Sequence, residues 1–354
     1  MNSTSKKIGL IGRIDPDQTM FDGQTVKTRM TYRMLCEHYG AENVVTVDTL
    51  DYRHRALAVM ANFARCLVSC SDIVVSLAIN GRRVFFPLLS FASRFMGKRV
   101  YHNLIGGSLA NDLDKYPKWV NYLNSFQVNW VESRDLVDML AEKGVTNAEY
   151  LPNFKYFDQT AGALKAPMHA AGEPFSFCTF SRVTEQKGVG DAARAVESLN
   201  AEGLACVLDV YGPVDSVYKT DFEHVLAECP HVKYKGCVPP EQSALAVAPY
   251  DALLFPTKWK TEGIPGTIID ALAAGVPVIA ARWQYYAEML EDNVTGLGYE
   301  LGDNSLLVSE MAKFMQLDNH QRMAMRKSCL SRFMAYTPEV VSSQIFDEIE
   351  GIHR

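Results

Sequence analysis

Residues 252–280 read ALLFPTKWKTEGIPGTIIDALAAGVPVIA, and their pattern decides the fold. Residues 252–255 are a short apolar run of strand type. Residues 267–274 then follow helical spacing, and 277–280 return to an apolar run. Strand, helix and strand in this order form a crossover unit, which belongs to a parallel sheet. Pro265 is well placed for the first position of the helix, where its missing N–H has no intrahelical acceptor to lose. Gly266 and Thr267 would then present unpaired backbone N–H groups, a ready site for an anion. Glu262 precedes the helix and Asp270 lies one turn inside it. Eight steps of about 100° bring the two carboxylates within about 80° of each other, roughly 12 Å apart along the axis. Two acids flanking an anion site suit a ligand with hydroxyls on both sides of a phosphate. The plainer reading is a capped helix with surface acids in its first turn.

The same alternation runs outward in both directions. Upstream, strand-like runs at 175–181, 206–211 and 232–235 enclose a helical segment at 188–199. Further back, strand-like runs at 7–11, 44–48, 73–77, 99–104 and 127–131 alternate with helical segments at 25–39, 56–69, 85–96 and 134–143. A Gly/Ala/Pro-rich stretch, 160–174, separates the two series and reads as a linker. At about 150 residues per domain, 354 residues make two. The expectation is an α/β protein of two doubly wound, Rossmann-like domains, 1–160 and 161–335, facing across a cleft. Ligands in such folds bind at the carboxyl ends of strands, so a shared ligand would lie in that cleft. Residues 338–353 read as a last helix, within a terminal segment 336–354.

Three further segments sit where strands end. Phe180-Ser-Arg-Val-Thr-Glu-Gln-Lys-Gly188 follows a strand and opens a helix. Arg182 and Lys187 could both reach one diphosphate, the first in bidentate fashion and the second as a point charge. Asp22-Gly-Gln-Thr-Val-Lys27 lies between the first strand and the first helix, where Gly23 would let a backbone approach a ligand closely. Tyr101-His-Asn-Leu-Ile-Gly-Gly-Ser108 follows the fourth strand. His102 there would face the cleft and could touch a hydroxyl, or be a core histidine. Asn103 and Ser108 could face the same ligand, and Gly106-Gly107 mark a tight turn beside them. Gly9-x-x-Gly12 does not complete a dinucleotide fingerprint. Asp15-x-Asp17 and Asp112-x-Asp114 are chance pairs by the same reading.

The 261–275 segment resembles the E-x7-E motif of family 4 glycosyltransferases, retaining enzymes of the GT-B fold. Asp270 stands where a Glu is usual, one methylene shorter. Ala273–Ala280, Glu288 and Asn293–Leu297 also resemble that family. The resemblance covers about 175–300 well and the first domain loosely. It implies transfer of a sugar from a nucleotide-diphosphate donor to an acceptor hydroxyl with retained configuration. Glu262, Arg182, Lys187 and His102 would then be catalytic. Gly23, Gln24, Pro265, Gly266, Thr267 and Asp270 would bind the donor, and Asn103, Gly106, Gly107 and Ser108 the acceptor. The nucleotide-sugar is a co-substrate, and neither a further cofactor nor a metal is expected. The terminal helix would pack back on the first domain. A non-catalytic nucleotide-sugar-binding subunit and a nucleotide-sugar 2-epimerase are the rival readings.

Composition narrows the partners. The chain carries 35 Lys+Arg against 41 Asp+Glu, a net charge of −6, with 48% hydrophobic and 21% charged residues. That is an ordinary globular composition and excludes a strongly basic nucleic-acid binder. The average hides an asymmetry, because residues 51–100 hold eight Arg or Lys against two Asp. Within that block, residues 82–99 read RRVFFPLLSFASRFMGKR, five cations and no acid in a dense apolar background. The segment reads equally as a core-packed helix with solvated cations or as an interfacial one meeting an anionic membrane surface or lipid-linked acceptor. The first residues have no apolar run ending in a cleavage site, and no run of about 18 apolar residues exists. The eight cysteines lack C-x-x-C pairs and read as free thiols. The expected location is cytoplasmic, with a peripheral place on the inner membrane face left open.

Overall fold

The computed structural model describes residues 6–17, 20, 22–157, 169 and 172–352. The expected linker, 160–174, lies almost wholly outside the described residues. The chain divides into two compact units, residues 1–155 with 337–354, and residues 156–336.

The first unit runs β1 Ile8–Gly12, α1 Gly23–Tyr39, β2 Val44–Asp48, α2 Ala56–Ser69, β3 Asp72–Ser76, α3 Ile79–Met96 and β4 Arg99–Asn103. It continues with α4 Leu109–Lys115, α5 Trp119–Leu123, β5 Val128–Val131, α6 Arg134–Glu142 and β6 Ala148–Tyr150. The strands form one parallel sheet in the order β2-β1-β3-β4-β5-β6. The direction of winding reverses at β1, so the switch point falls between β1 and β3. Strands β1 and β3 are buried along their whole length, as expected for a sheet covered on both faces.

The second unit runs β7 Phe175–Phe180, α7 Val189–Ala201, β8 Cys206–Tyr211, α8 Lys219–Glu228, β9 Val232–Gly236, α9 Ser243–Val247 and β10 Ala252–Phe255. It ends with α10 Gly266–Ala273, β11 Val278–Ala281, α11 Tyr286–Met289, β12 Gly296–Tyr299, α12 Asn304–Gln316 and α13 Asn319–Phe333. Its parallel sheet has the order β12-β11-β10-β7-β8-β9. Here the switch point lies between β7 and β10, with Ala252 beside Phe177 and Leu253 beside Cys178. Phe177, Val196, Leu208, Leu254, Ile279, Leu297 and Phe314 meet in its core.

The last helix, α14 Pro338–Glu350, belongs to the first unit. Val341, Ile345 and Ile349 are its buried face. Phe346 stacks on His38 at 3.7 Å, and Glu350 lies 2.7 Å from the same imidazole. Lys6 donates to the Ile349 carbonyl at 3.2 Å, and Gln344 to that of Tyr150 at 2.6 Å.

Three local departures from expectation have physical causes. α1 begins at Gly23 rather than Thr25, because Asp22 takes the N-cap position and accepts from the Thr25 N–H at 3.3 Å. Gly23 is therefore the first helical residue and not a loop glycine. α10 begins at Gly266, with Pro265 extended at φ −68° and ψ 127° as the N-cap instead of the first helical residue. α3 begins at Ile79, six residues before the expected start, and carries Pro87 inside it.

Candidate active site

The switch point of the second sheet sets two loops side by side, one after β7 and one after β10. Lys258 N–H donates to the Gln186 carbonyl at 2.9 Å and ties them together. Gly188, at φ +69°, makes the close approach possible, since a Cβ there would stand 1.9 Å from the Pro256 carbonyl oxygen. A second contact of this kind holds the start of the first loop. At Gly212 a Cβ would stand 1.9 Å from the Ser181 oxygen. Val183 N–H then donates to Pro213 at 2.9 Å.

This packing brings together two of the expected residues. The Lys187 ammonium pairs directly with the Glu262 carboxylate, and Thr257 Oγ1 donates to the same carboxylate at 3.0 Å. Lys187 also lies 5.6 Å from the centre of the Phe255 ring. The pair is partly exposed, with side-chain accessibilities of 20% and 13%, so a ligand can reach it. Arg182 stands apart on the same loop, half exposed, with Asp215 at 3.8 Å.

Next to Glu262, the first bond of α10 runs from Ile268 N–H to the Pro265 carbonyl at 3.0 Å. The Gly266 and Thr267 N–H groups precede it, in the first turn, where helix donors have no intrahelical acceptor. Thr267 Oγ1 is buried there without a hydrogen-bond partner. The loop is braced from behind. Trp283 Nε1 donates to Gly263 at 3.2 Å, and Gln284 N–H donates to Lys260 at 2.9 Å.

Asp270 departs from expectation. It is 1% exposed, and Ser243 Oγ donates to its Oδ1 at 2.6 Å. Its carboxylate is held by α9 through Ser243. The two acids of the E-x7-E-like motif therefore have different surroundings, one open and one closed.

In the first unit, His102 and Asn103 are also corrected. His102 is 0% exposed, packed edge-on against Phe86 at 5.0 Å, with Nδ1 3.2 Å from Asn129 Oδ1. Burial, with Arg82 nearby, pulls its pKa well below the ordinary histidine range. It sits among core rings as a buried histidine whose Nε2 has no hydrogen-bond partner. Asn103 is likewise buried, donating to Thr31 Oγ1 at 3.4 Å. Gly106 does turn the backbone, at φ +81°. Ser108 leads into α4 and donates to Asp112 at 3.2 Å. Gly107 is buried in the same turn. Gly23 and Gln24 form the first turn of α1, and a Cβ on Gly23 would meet nothing within 4 Å.

Residues 174–316 match the family model described as glycosyl transferases group 1. This part of the chain is similar to the group 1 glycosyl transferases. It holds Lys187, Glu262 and the start of α10. The amylovoran biosynthesis glycosyltransferase AmsK of Erwinia amylovora is 29% identical over 154 residues, which is 42% of this chain and 37% of that protein. The matches to curated relatives span about two fifths of those proteins' length. Sucrose-phosphate synthase from Thermosynechococcus elongatus superposes with a TM-score of 0.76 at 16% identity, over 98% of this chain and 99% of that one. Anabaena HepE, solved with UDP-glucose, gives a TM-score of 0.72 at 13% identity, over 98% and 99%. The two parallel sheets are those of the GT-B fold.

The sequence reading missed Gly188, Thr257 and Ser243. Gly188 carried a signal, a glycine directly before a helix in a loop already singled out. Ser243 carried none, because its acid, Asp270, lies 27 residues further on, whereas Thr257 stands only five residues before Glu262 in the same loop. The D-x-D pairs are structural as well. Asp15 pairs with Arg29 at 3.3 Å and Asp112 with Arg82 at 3.4 Å. Among the described residues no three His, Cys, Asp or Glu side chains gather as metal ligands would.

Proposed function

We propose that the chain is a retaining glycosyltransferase that moves a sugar from a nucleotide-diphosphate donor to the hydroxyl of a sugar or lipid-linked acceptor in polysaccharide or glycolipid assembly. The observation that carries this reading is the Lys187–Glu262 pair beside the open first turn of α10, inside the part similar to group 1 glycosyl transferases. The likeness to AmsK supports the polysaccharide setting.

The chemistry follows from charge. Arg182, Lys187 and the α10 N–H groups supply the cations and donors that would hold a diphosphate. As the bond from the anomeric carbon to the phosphate oxygen breaks, negative charge builds on that oxygen, and fixed cations and dipoles stabilise it. Glu262 accepts hydrogen bonds from the donor sugar and holds Lys187 in place. The acceptor oxygen bonds to the anomeric carbon on the face the phosphate leaves, and the departing phosphate takes the acceptor's proton. No protein nucleophile and no metal is required. Asp270 supports the site through Ser243 and is not assigned a ribose contact. The acceptor is met at the cytoplasmic face of the inner membrane, a reading supported by the basic, apolar character of residues 82–99.

A thermal-shift series with UDP-, GDP- and ADP-sugars tests the donor assignment. A nucleotide-sugar in about hundredfold excess over its Kd stabilises by about 2.7 kcal/mol. Stabilisation by none of the three would overturn the reading. Glu262→Gln should keep the fold and lose about a hundredfold or more in sugar transfer. Epimerised sugar formed without acceptor would favour an epimerase, and binding without any nucleotide release a non-catalytic subunit.

A further inference from the structure

The first unit carries a surface that the donor chemistry does not use. The connections β2 to β3 and β3 to β4 run the same way across the sheet, so right-handed crossovers put α2 and α3 on one face. Their inner sides meet there, with the Phe63 and Phe85 rings edge to face at 5.3 Å. Each helix also has a second apolar stripe pointing outward. On α2 it is Leu57, Ala61, Ala64 and Val68, all exposed. On α3 it is Val84, Leu88, Phe91 and Phe95, all exposed. Both stripes follow the spacing 4, 3, 4, which keeps them on one side of a helix. Leu57 is 90% exposed, Val68 85% and Phe95 73%. The Phe91 and Phe95 rings lie 5.0 Å apart and lean on each other. Exposed apolar stripes of this kind on neighbouring helices mark an interaction surface.

The charges select the partner. Arg53, Arg55, Arg65, Arg83 and Arg94 are exposed around the stripes. Among the described residues none of the five pairs with a carboxylate. Asp72 is buried and taken by Arg99 and Lys6, which leaves Asp51 as the one exposed acid of the segment. A second copy docking through the same face would set arginines against arginines with no acids to pair. An anionic bilayer supplies both an apolar boundary and phosphates. We propose that the outer face of α2 and α3 docks the chain on an anionic lipid bilayer. Phe91 and Phe95 enter the headgroup boundary and the arginines lie at the lipid phosphates. This rests on the reading that the acceptor is met at a membrane, and it corrects the segment expected to do so. Arg82 is buried and Arg99 is paired, while α2, outside 82–99, supplies half of the face.

Sedimentation of the full chain with phosphatidylcholine vesicles, with and without phosphatidylglycerol, tests this. Binding is expected only with the anionic lipid, and added salt should weaken it. The exposed pair change Arg65→Gln with Arg94→Gln should weaken binding about fivefold per arginine. Phe91→Ser with Phe95→Ser should weaken it by about tenfold or more. Both variants should keep the wild-type melting curve and nucleotide-induced stabilisation. No binding to anionic vesicles, or equal binding by both variants, overturns the proposal. So does a concentration-dependent dimer that the phenylalanine changes abolish. A chain that responds to nucleotide but not to vesicles loses this surface and keeps the transferase reading. The converse result keeps the surface alone.

Discussion

At the scale of one residue, a missing methyl group sets the geometry of the proposed donor site. Gly188 is at φ +69°, and the Pro256 oxygen occupies the place of its Cβ. Gly188→Ala would combine backbone strain with a clash that separates the Lys187 and Glu262 loops. A loss of about 2 kcal/mol or more is expected in urea unfolding, with weaker nucleotide binding alongside. Gly23→Ala is the contrasting case, with open space and no positive φ. It should leave stability unchanged, so any fall in donor affinity reports a ligand close to that backbone. His102 gives a pH signature. Its folded pKa is depressed, so below about 6.5 the unfolded chain binds a proton that the folded chain refuses. Stability should therefore fall as pH drops below about 6.5, and His102→Gln should flatten that slope in melts across this range. Glu262 and Lys187 were legible in the sequence because loop residues at strand ends keep their side chains outward. His102 and Asp270 were not, because burial depends on which neighbours the sheet brings over them.

At the scale of an element, α3 shows how a tertiary contact overrides a local signal. The sequence reading places the helix start near 85, although Pro87 lacks an N–H to donate. The structure carries the helix back to Ile79. What anchors the added turns is Arg82, fully buried, with burial lowering its pKa to about 10. It donates to the Leu77 and Ile105 carbonyls, each at 2.8 Å, and pairs with Asp112 at 3.4 Å. One guanidinium thus ties the end of β3, the turn after β4 and α4. Arg82→Met would leave the buried Asp112 without its cation and should cost about 3–5 kcal/mol in chemical unfolding. Arg82→Lys should not restore it, because one ammonium lacks the planar fork that reaches three acceptors. The sequence counted Arg82 among surface cations, since its partners lie 5, 23 and 30 residues away.

At the scale of the whole molecule, periodicity showed the alternation of strands and helices but not their order in space. The orders β2-β1-β3-β4-β5-β6 and β12-β11-β10-β7-β8-β9 fix the switch points. Both bring singled-out segments together, the first through Lys27 Nζ, which donates to the Leu104 carbonyl at 2.6 Å, and the second through Lys187 and Glu262. Each unit has its own sheet, and α14 completes the first by contacts to His38, Lys6 and Tyr150. Separate cores imply separate unfolding transitions, and on the proposed function a nucleotide held by Lys187, Glu262 and α10 would stabilise one of them. Removing residues 338–352 exposes the surface α14 covers and deletes the His38–Phe346 stack. In calorimetry that truncation should lower the transition that ignores nucleotide and leave the nucleotide-responsive one near its original temperature. If both transitions fall together, or if nucleotide shifts both equally in the full chain, the donor site draws on more than the second unit.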